Sequence, residues 1–151
     1  MLEDIDRLIL RELQKDARLS SDELGARIGL SRSATQRRVQ ILRQTGVIEK
    51  EIAVVDPQRA DRGMMFVVEV ELERERVDLL DEFRRSMLAL EDVQQCYYVT
   101  GHTDFILIVM AKDMSSYERF TRQVFIENPN IRRFHTNVVV DRVKVGLTVP
   151  V

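Results

Sequence analysis

The sequence contains one cysteine, Cys96, and two histidines, His102 and His135. No intrachain disulfide can form from one thiol, and no zinc-ligand spacing can be assembled from so few soft donors. The longest apolar run, Phe105 to Ala111, is far too short to cross a bilayer. The chain starts Met1-Leu2-Glu3-Asp4, acidic where a secretory signal would be basic. A soluble, cytoplasmic protein is expected. There is no phosphate-cradling glycine loop, no Cys/His pair at a plausible site and no cluster of metal ligands, so neither an enzyme nor a bound cofactor or metal is expected. Internal repeats and low-complexity segments are also lacking. Hydrophobic residues make up 44% of the chain, which is ordinary for a folded protein and argues against disorder. With 151 residues, one medium domain or two small ones can form.

A further absence is local. No acidic residue lies between Glu23 and Glu49, whereas Arg27, Arg32, Arg37, Arg38 and Arg43 all fall in that window. The formal charge of the whole chain is −2, so the informative quantity is the distribution of charge rather than its sum. An arginine-rich window of this kind is either a solvated helix face or a surface for polyanions.

From Asp4 to about Asp16, Ile5, Leu8, Ile9 and Leu13 recur at helical spacing, opposite Arg7, Arg11, Gln14 and Lys15. Ser20 with Glu23 forms a capping box, with Leu19 and Leu24 as its hydrophobic staple, so a second helix starts at Ser21. Gly29 ends it, and Ser31 can cap a third helix running to about Thr45. Gly46 follows, and Val47-Ile48 with Ile52 to Val55 read as short extended segments or a small wing. Residues 1–56 therefore read as one domain and Pro57 to Gly63 as a linker. From residue 64 to 151 the apolar period changes to 2. Phe66, Val68, Val70 and Leu72 mark a strand; Val77, Leu80, Phe83, Met87 and Leu90 mark a helix. Val93–Thr100 and Asp104–Ala111 form a hairpin around Gly101-His102-Thr103, the second strand apolar on both faces and hence central. Ser115 or Ser116 caps a helix bearing Tyr117, Phe120, Thr121 and Val124, and Phe134 to Val140 is the last strand. The class is α+β: a helix-turn-helix followed by a ferredoxin-like βαββαβ domain.

Two helices joined by a tight turn, the second rich in arginine, suit a recognition helix in the DNA major groove. Val39, Leu42 and Ala34 should face the first two helices. Arg32, Ser33, Gln36, Arg37 and Gln40 then face outward, where arginine pairs with guanine and glutamine with adenine. Ser31, Arg38 and Arg43 suit phosphates.

The segment Gly29-Leu30-Ser31, Arg38-Val39, Leu42, Gly46 and Ile48 resembles the GLSxxxxxxRVxxLxxxGxI pattern of the Lrp/AsnC family of transcription regulators. The similarity runs from Ile5-Asp6 through Val99-Thr100-Gly101-His102-Thr103-Asp104-Phe105 to Thr136-Asn137-Val138-Val139-Val140. The resemblance implies a C-terminal domain that pairs subunits into dimers, dimers that associate into octamers or similar rings, and an amino-acid effector bound between dimers. Carried over by position, the effector site would use Gly101, His102, Thr103 and Asp104, completed by Asp113, Ile126, Asn137, Val138 and Val139. At Asn130 and His102 the chain departs from the family's usual residues. A prokaryotic, nucleoid-associated location is implied as well.

Plainer roles compete for several of these residues. Glycine and aspartate are common in hairpin turns for backbone reasons alone. Cys96 reads as a small buried hydrophobe, Met64-Met65 as core filler, and Tyr97-Tyr98 as interface or core. His102 reads as an exposed turn residue and His135 as a strand residue near an interface, neither catalytic. The alternative to a metabolite-responsive regulator is an architectural DNA-binding protein that works through phosphate contacts and bending.

Overall fold

The computed structural model describes residues 2–151. The chain forms two units, one running through Val54 and taking back Lys144–Val151, the other spanning Val55–Val143.

In the first unit, α1 (Asp4–Leu13), α2 (Ser21–Ile28) and α3 (Arg32–Gln44) enclose a small core of Ile9, Leu10, Leu24, Val39 and Leu42. The buried arc of α1 is displaced from the simple stripe: Leu10 is buried while Leu8 is 41% exposed, because α1 packs against both α2 and α3. The box predicted at Ser20 is present, with Glu23 N–H donating to Ser20 Oγ at 3.2 Å and Ser20 N–H to Glu23 Oε2 at 2.8 Å. These bonds satisfy helix-end donors that have no partner in the helix itself. No strand forms in residues 47–56, so the suggested wing is not a paired element in this chain. Ile52, Val54 and Val55 are exposed there and have no partner strand to hydrogen-bond.

The second unit is a four-stranded antiparallel sheet with helices on one face. Its elements are β1 (Met64–Leu72), α4 (Val77–Leu88), β2 (Val93–Tyr98), β3 (Phe105–Ala111), α5 (Met114–Thr121) with a π-helical turn at Arg122–Ile126, and β4 (Ile131–Val138). The strand order is β2-β3-β1-β4, the split βαβ arrangement. β3 lies between β2 and β1, which accounts for its lack of a polar face. Phe66, Val68, Val70, Phe105, Leu107 and Val109 point to the helices and are essentially inaccessible. Burying each stabilises the fold by about 1.5–3 kcal/mol of hydrophobic transfer. The Phe66 ring stacks on Tyr117 at 3.7 Å between centroids, and the Tyr117 hydroxyl shares a hydrogen bond with Thr136 Oγ1 at 2.6 Å, so this buried hydroxyl has its partner.

Two side-chain roles differ from the sequence expectation. α5 is capped by Asp113, not by a serine: its Oδ1 accepts from Ser116 N–H and Ser116 Oγ, both at 2.7 Å. Cys96 is exposed because β2 is the sheet's edge and no element covers that position. The segment Pro57–Gly63 is turn-rich and belongs to the second unit, where Arg62 pairs with Asp92 at 3.0 Å. Lys144–Val151 group by contact with the first unit.

Candidate nucleic-acid interface and effector region

The α2–α3 pair is held close by a residue that composition does not flag. A Cβ at Gly25 would sit 2.5 Å from the Leu30 carbonyl oxygen and 2.9 Å from Thr35 Oγ1, so only glycine admits this approach. Thr35, with no exposed surface, donates to Ser31 O at 2.9 Å. Thr35 rather than Ala34 is therefore the fully buried position in the first turn of α3. Ser31 caps that helix, its Oγ accepting from Ala34 N–H at 3.3 Å.

Arg32, Ser33, Gln36, Arg37, Gln40 and Arg43 are exposed. Ser33, Gln36, Arg37 and Gln40 share one helical face by their spacing. The arginines of the acid-free window differ sharply in occupation. Arg27 pairs with Glu12 at 2.8 Å, Arg32 lies 3.4 Å from Asp22, and Arg43 pairs with Glu51 at 2.8 Å. Arg38 points inward: Nη1 donates to Asp6 at 3.0 Å and Nη2 to Glu3 at 2.9 Å, tying α3 to α1. Those two carboxylates hold its guanidinium even more firmly protonated than usual, Asp6 first and Glu3 second. Arg38, expected on a phosphate, holds this internal tie in the DNA-free chain. Among the described residues only Arg37, of the five, has no ion-pair partner.

The expected effector residues divide into two groups. Thr103 is buried and its hydroxyl donates to Val70 O at 2.9 Å. Asp104 Oδ2 accepts the Leu72 N–H at 2.6 Å, and Asp104 N–H donates to Val70 O at 3.0 Å. These bonds clip the end of β1. Gly101 has φ +128°, a conformation a side chain would strain. His102 is exposed, its Nε2 3.7 Å from Glu69 Oε2. Asp113, Asn137, Val138 and Val139 lie at the other end: Phe66 pairs with Val138 and Met64 with Ala111, while Val70 pairs with Phe105. Four residues of β1 at about 3.3 Å each separate the groups by roughly 13 Å. Ile126, 67% exposed, ends the π-helical turn. One chain therefore does not assemble the nine into one cavity. Asp113 is already committed to its cap, which holds its carboxyl below the usual range.

The sheet face opposite the helices carries Met65, Val67, Ile106, Ile108 and Met110, bordered by Glu69, His135 and Asn137. Val67, Ile106 and Ile108 are half-buried there, and Met65 and Met110, at one end, are buried.

Two family models match the chain. Residues 2–49 match a winged helix-turn-helix DNA-binding model and residues 65–149 the Lrp/AsnC ligand binding domain. An HTH-type transcriptional regulator from Sinorhizobium fredii is 48% identical over 150 residues, covering 99% of this chain and 89% of that relative. The leucine-responsive regulatory protein of Escherichia coli K12 is 36% identical over 143 residues, 95% of this chain and 87% of the relative. Among solved structures, an AsnC family regulator from Agrobacterium tumefaciens superposes with TM-score 0.93 at 26% identity, covering 99% of this chain and 97% of that one. A transcriptional regulator of Neisseria meningitidis in complex with L-Met gives 0.94 at 26% identity and the same coverage.

Proposed function

The chain belongs to the Lrp/AsnC family, a DNA-binding transcription regulator with an effector-binding domain, and from that premise we propose that an amino acid controls how it assembles and binds its operator. The reading of bases falls to Ser33, Gln36, Arg37 and Gln40. The observation that carries this is the single unpaired arginine, Arg37, between two exposed glutamines on α3. Arg32 and Arg43, whose carboxylate partners are solvent-exposed, exchange those partners for phosphates, since such pairs hold by about 1 kcal/mol or less.

The chain acts as a dimer at minimum, because the sheet face opposite the helices is apolar at its centre and polar at its rim, the anatomy of an interface. Two-fold symmetry then sets paired recognition helices about one DNA turn, or a multiple, apart. Within one chain Gly101–Asp104 and Asn137–Val139 lie at opposite ends of β1, which supports a site completed between copies in a higher assembly. The turn amides and the remaining Asp104 oxygen suit the carboxylate and ammonium of an amino acid, while Ile126 and Val138 suit an apolar side chain. The L-Met complex of the Neisseria regulator favours this class of ligand. Activity in the cytoplasm, at the nucleoid, follows from such a role.

A thermal-shift screen of the amino acids, followed by DNA anisotropy with and without each hit, tests this reading. A hit raises the melting temperature and shifts operator affinity. No shift with any amino acid, together with intact DNA binding, means the protein packages DNA without metabolite control.

A further inference from the structure

Lys144–Val151 folds onto the first unit, and the contact is specific. Gln14, at the C-terminal cap of α1, donates from Nε2 to the Val149 carbonyl at 3.1 Å and accepts the Val149 N–H on Oε1 at 2.7 Å. One carboxamide thus satisfies both main-chain groups of a single residue, as a neighbouring strand would. Three residues earlier on the same helical face, Arg11 Nε donates to Val151 O at 2.6 Å. The Val151 side chain packs against the core of Ile9, Leu10 and Leu24. Pro150, between the two anchored residues, has no N–H to satisfy. Val145, Leu147 and Val149 keep 52%, 67% and 61% of their surface exposed, so the seat grips backbone and one apolar end rather than the whole side-chain pattern.

We propose that α1 carries a receptor for the main chain of Lys144–Val151, and that the seated segment is a strap by which the exit of β4 acts on the recognition helix. The route is continuous. The chain leaves the second unit after Val143, and its next residues are fixed to α1 by Gln14 and Arg11. α1 holds α3 through Glu3, Asp6 and Arg38. A change at the end of β4 therefore reaches α3 along the covalent chain, two side chains and one forked ion pair. A strap of this kind needs no direct approach of effector to DNA. The proposal uses the DNA-binding role of α3 but not the identity of any effector.

The test is amide hydrogen exchange and DNA anisotropy on the full-length protein and its Gln14→Leu variant. In the wild type the Val149 amide exchanges about tenfold or more slower than in a free peptide of residues 144–151, since leaving this bond requires the seat to open. Gln14→Leu removes that protection, speeds exchange in α1 and weakens DNA binding several-fold. In a chain ending at Gly146 the same substitution changes neither α1 exchange nor DNA affinity further. Should the shortened chain fail to fold, a cycle of Gln14→Leu with Val151→Asp in the full-length protein serves instead, and its two losses are less than additive. A Val149 amide exchanging at the free-peptide rate overturns the receptor. Equal effects of Gln14→Leu with and without the strap, or additive losses in the cycle, overturn the coupling.

Discussion

Replacing Asp104 by alanine separates a ligand role from a structural one. The Asp104 carboxylate accepts the Leu72 N–H at 2.6 Å, beside the register shift that interrupts pairing of β1 and β4 at Glu71/Leu72. Leu72 N–H faces the β3 side, as Val70 O does, and since β3 begins only at Phe105 the Asp104 carboxylate supplies the acceptor that the strand does not. Alanine leaves a half-buried main-chain donor unpaired and removes a charge-assisted bond, a loss of about 1.5–3 kcal/mol. For a unit of 89 residues, Val55–Val143, each kcal/mol lowers the melting temperature by roughly 4–8 °C. Alanine should thus lower it by about 6 °C at the least, read by differential scanning calorimetry. Asp104→Asn keeps an acceptor at the same place and should recover most of the loss. If Asp104→Ala melts within about 2 °C of the wild type, the carboxylate does not clip β1 and the argument fails. If Asn restores the melting temperature but not the response to an amino acid, the charge has a second use as partner of the effector's ammonium.

Gly25→Ala places a Cβ against Leu30 O and Thr35 Oγ1 and should cost about 1–3 kcal/mol or more in urea denaturation; an unchanged midpoint would mean that the α2–α3 turn yields freely. Arg37→Ala should weaken operator binding by about 1–3 kcal/mol with relaxed preference at one base pair and no change in melting, whereas Arg38→Ala should lower the melting temperature of the first unit before affecting base preference. Carboxylates held below their usual range include Glu12 (by Lys15, then Arg27), Glu71 (by Arg133) and Asp113 (by Ser116). Because the folded state depresses them, their stabilisation is complete above the ordinary carboxylate range and is lost as pH falls through and below it; acid titration by circular dichroism showing stability rising on that descent would contradict the assignment.

The helices, the strand order and the outward face of α3 were legible because each follows from short-range periodicity or from a cap whose two partners are three residues apart. Ser20 with Glu23 and Ser31 before Arg32 are of this kind. What escaped depends on residues distant in sequence. Arg38 belongs to an arginine run on the sequence, and only folding brings Glu3 and Asp6, 35 and 32 positions away, to its head. Asp104 and Asp113 sit where turns and caps begin, so a ligand role and a backbone role predict the same residue type. Ser115 and Ser116 are good capping residue types but lie inside α5, and the cap must have extended backbone, which Asp113, at φ −152° and ψ 174°, has. The return of Lys144–Val151 to α1 was not legible although Val145, Leu147, Val149 and Val151 alternate, because that alternation marks a strand and gives no sign of a helix that would hold its main chain.

The net charge of −2 is reconciled with DNA binding by its partition. The first unit holds eleven lysines and arginines against nine aspartates and glutamates, the second twelve against sixteen. The excess on the first unit is small, and much of its arginine is internally paired. Phosphate neutralisation gives a slope of about −0.9 in log affinity against log salt per contact. Pairs such as Arg43–Glu51 must open before they add to it, which offsets part of their Coulomb gain, and Arg38 adds nothing while it holds α1. The non-specific term is therefore weak for one copy, and under the proposed function useful affinity would come from joining several copies on one DNA, where each further helix binds at high effective concentration. On the proposed reading assembly is the point of control, because a ligand that changes how copies associate would change occupancy without altering the contact proposed for Arg37.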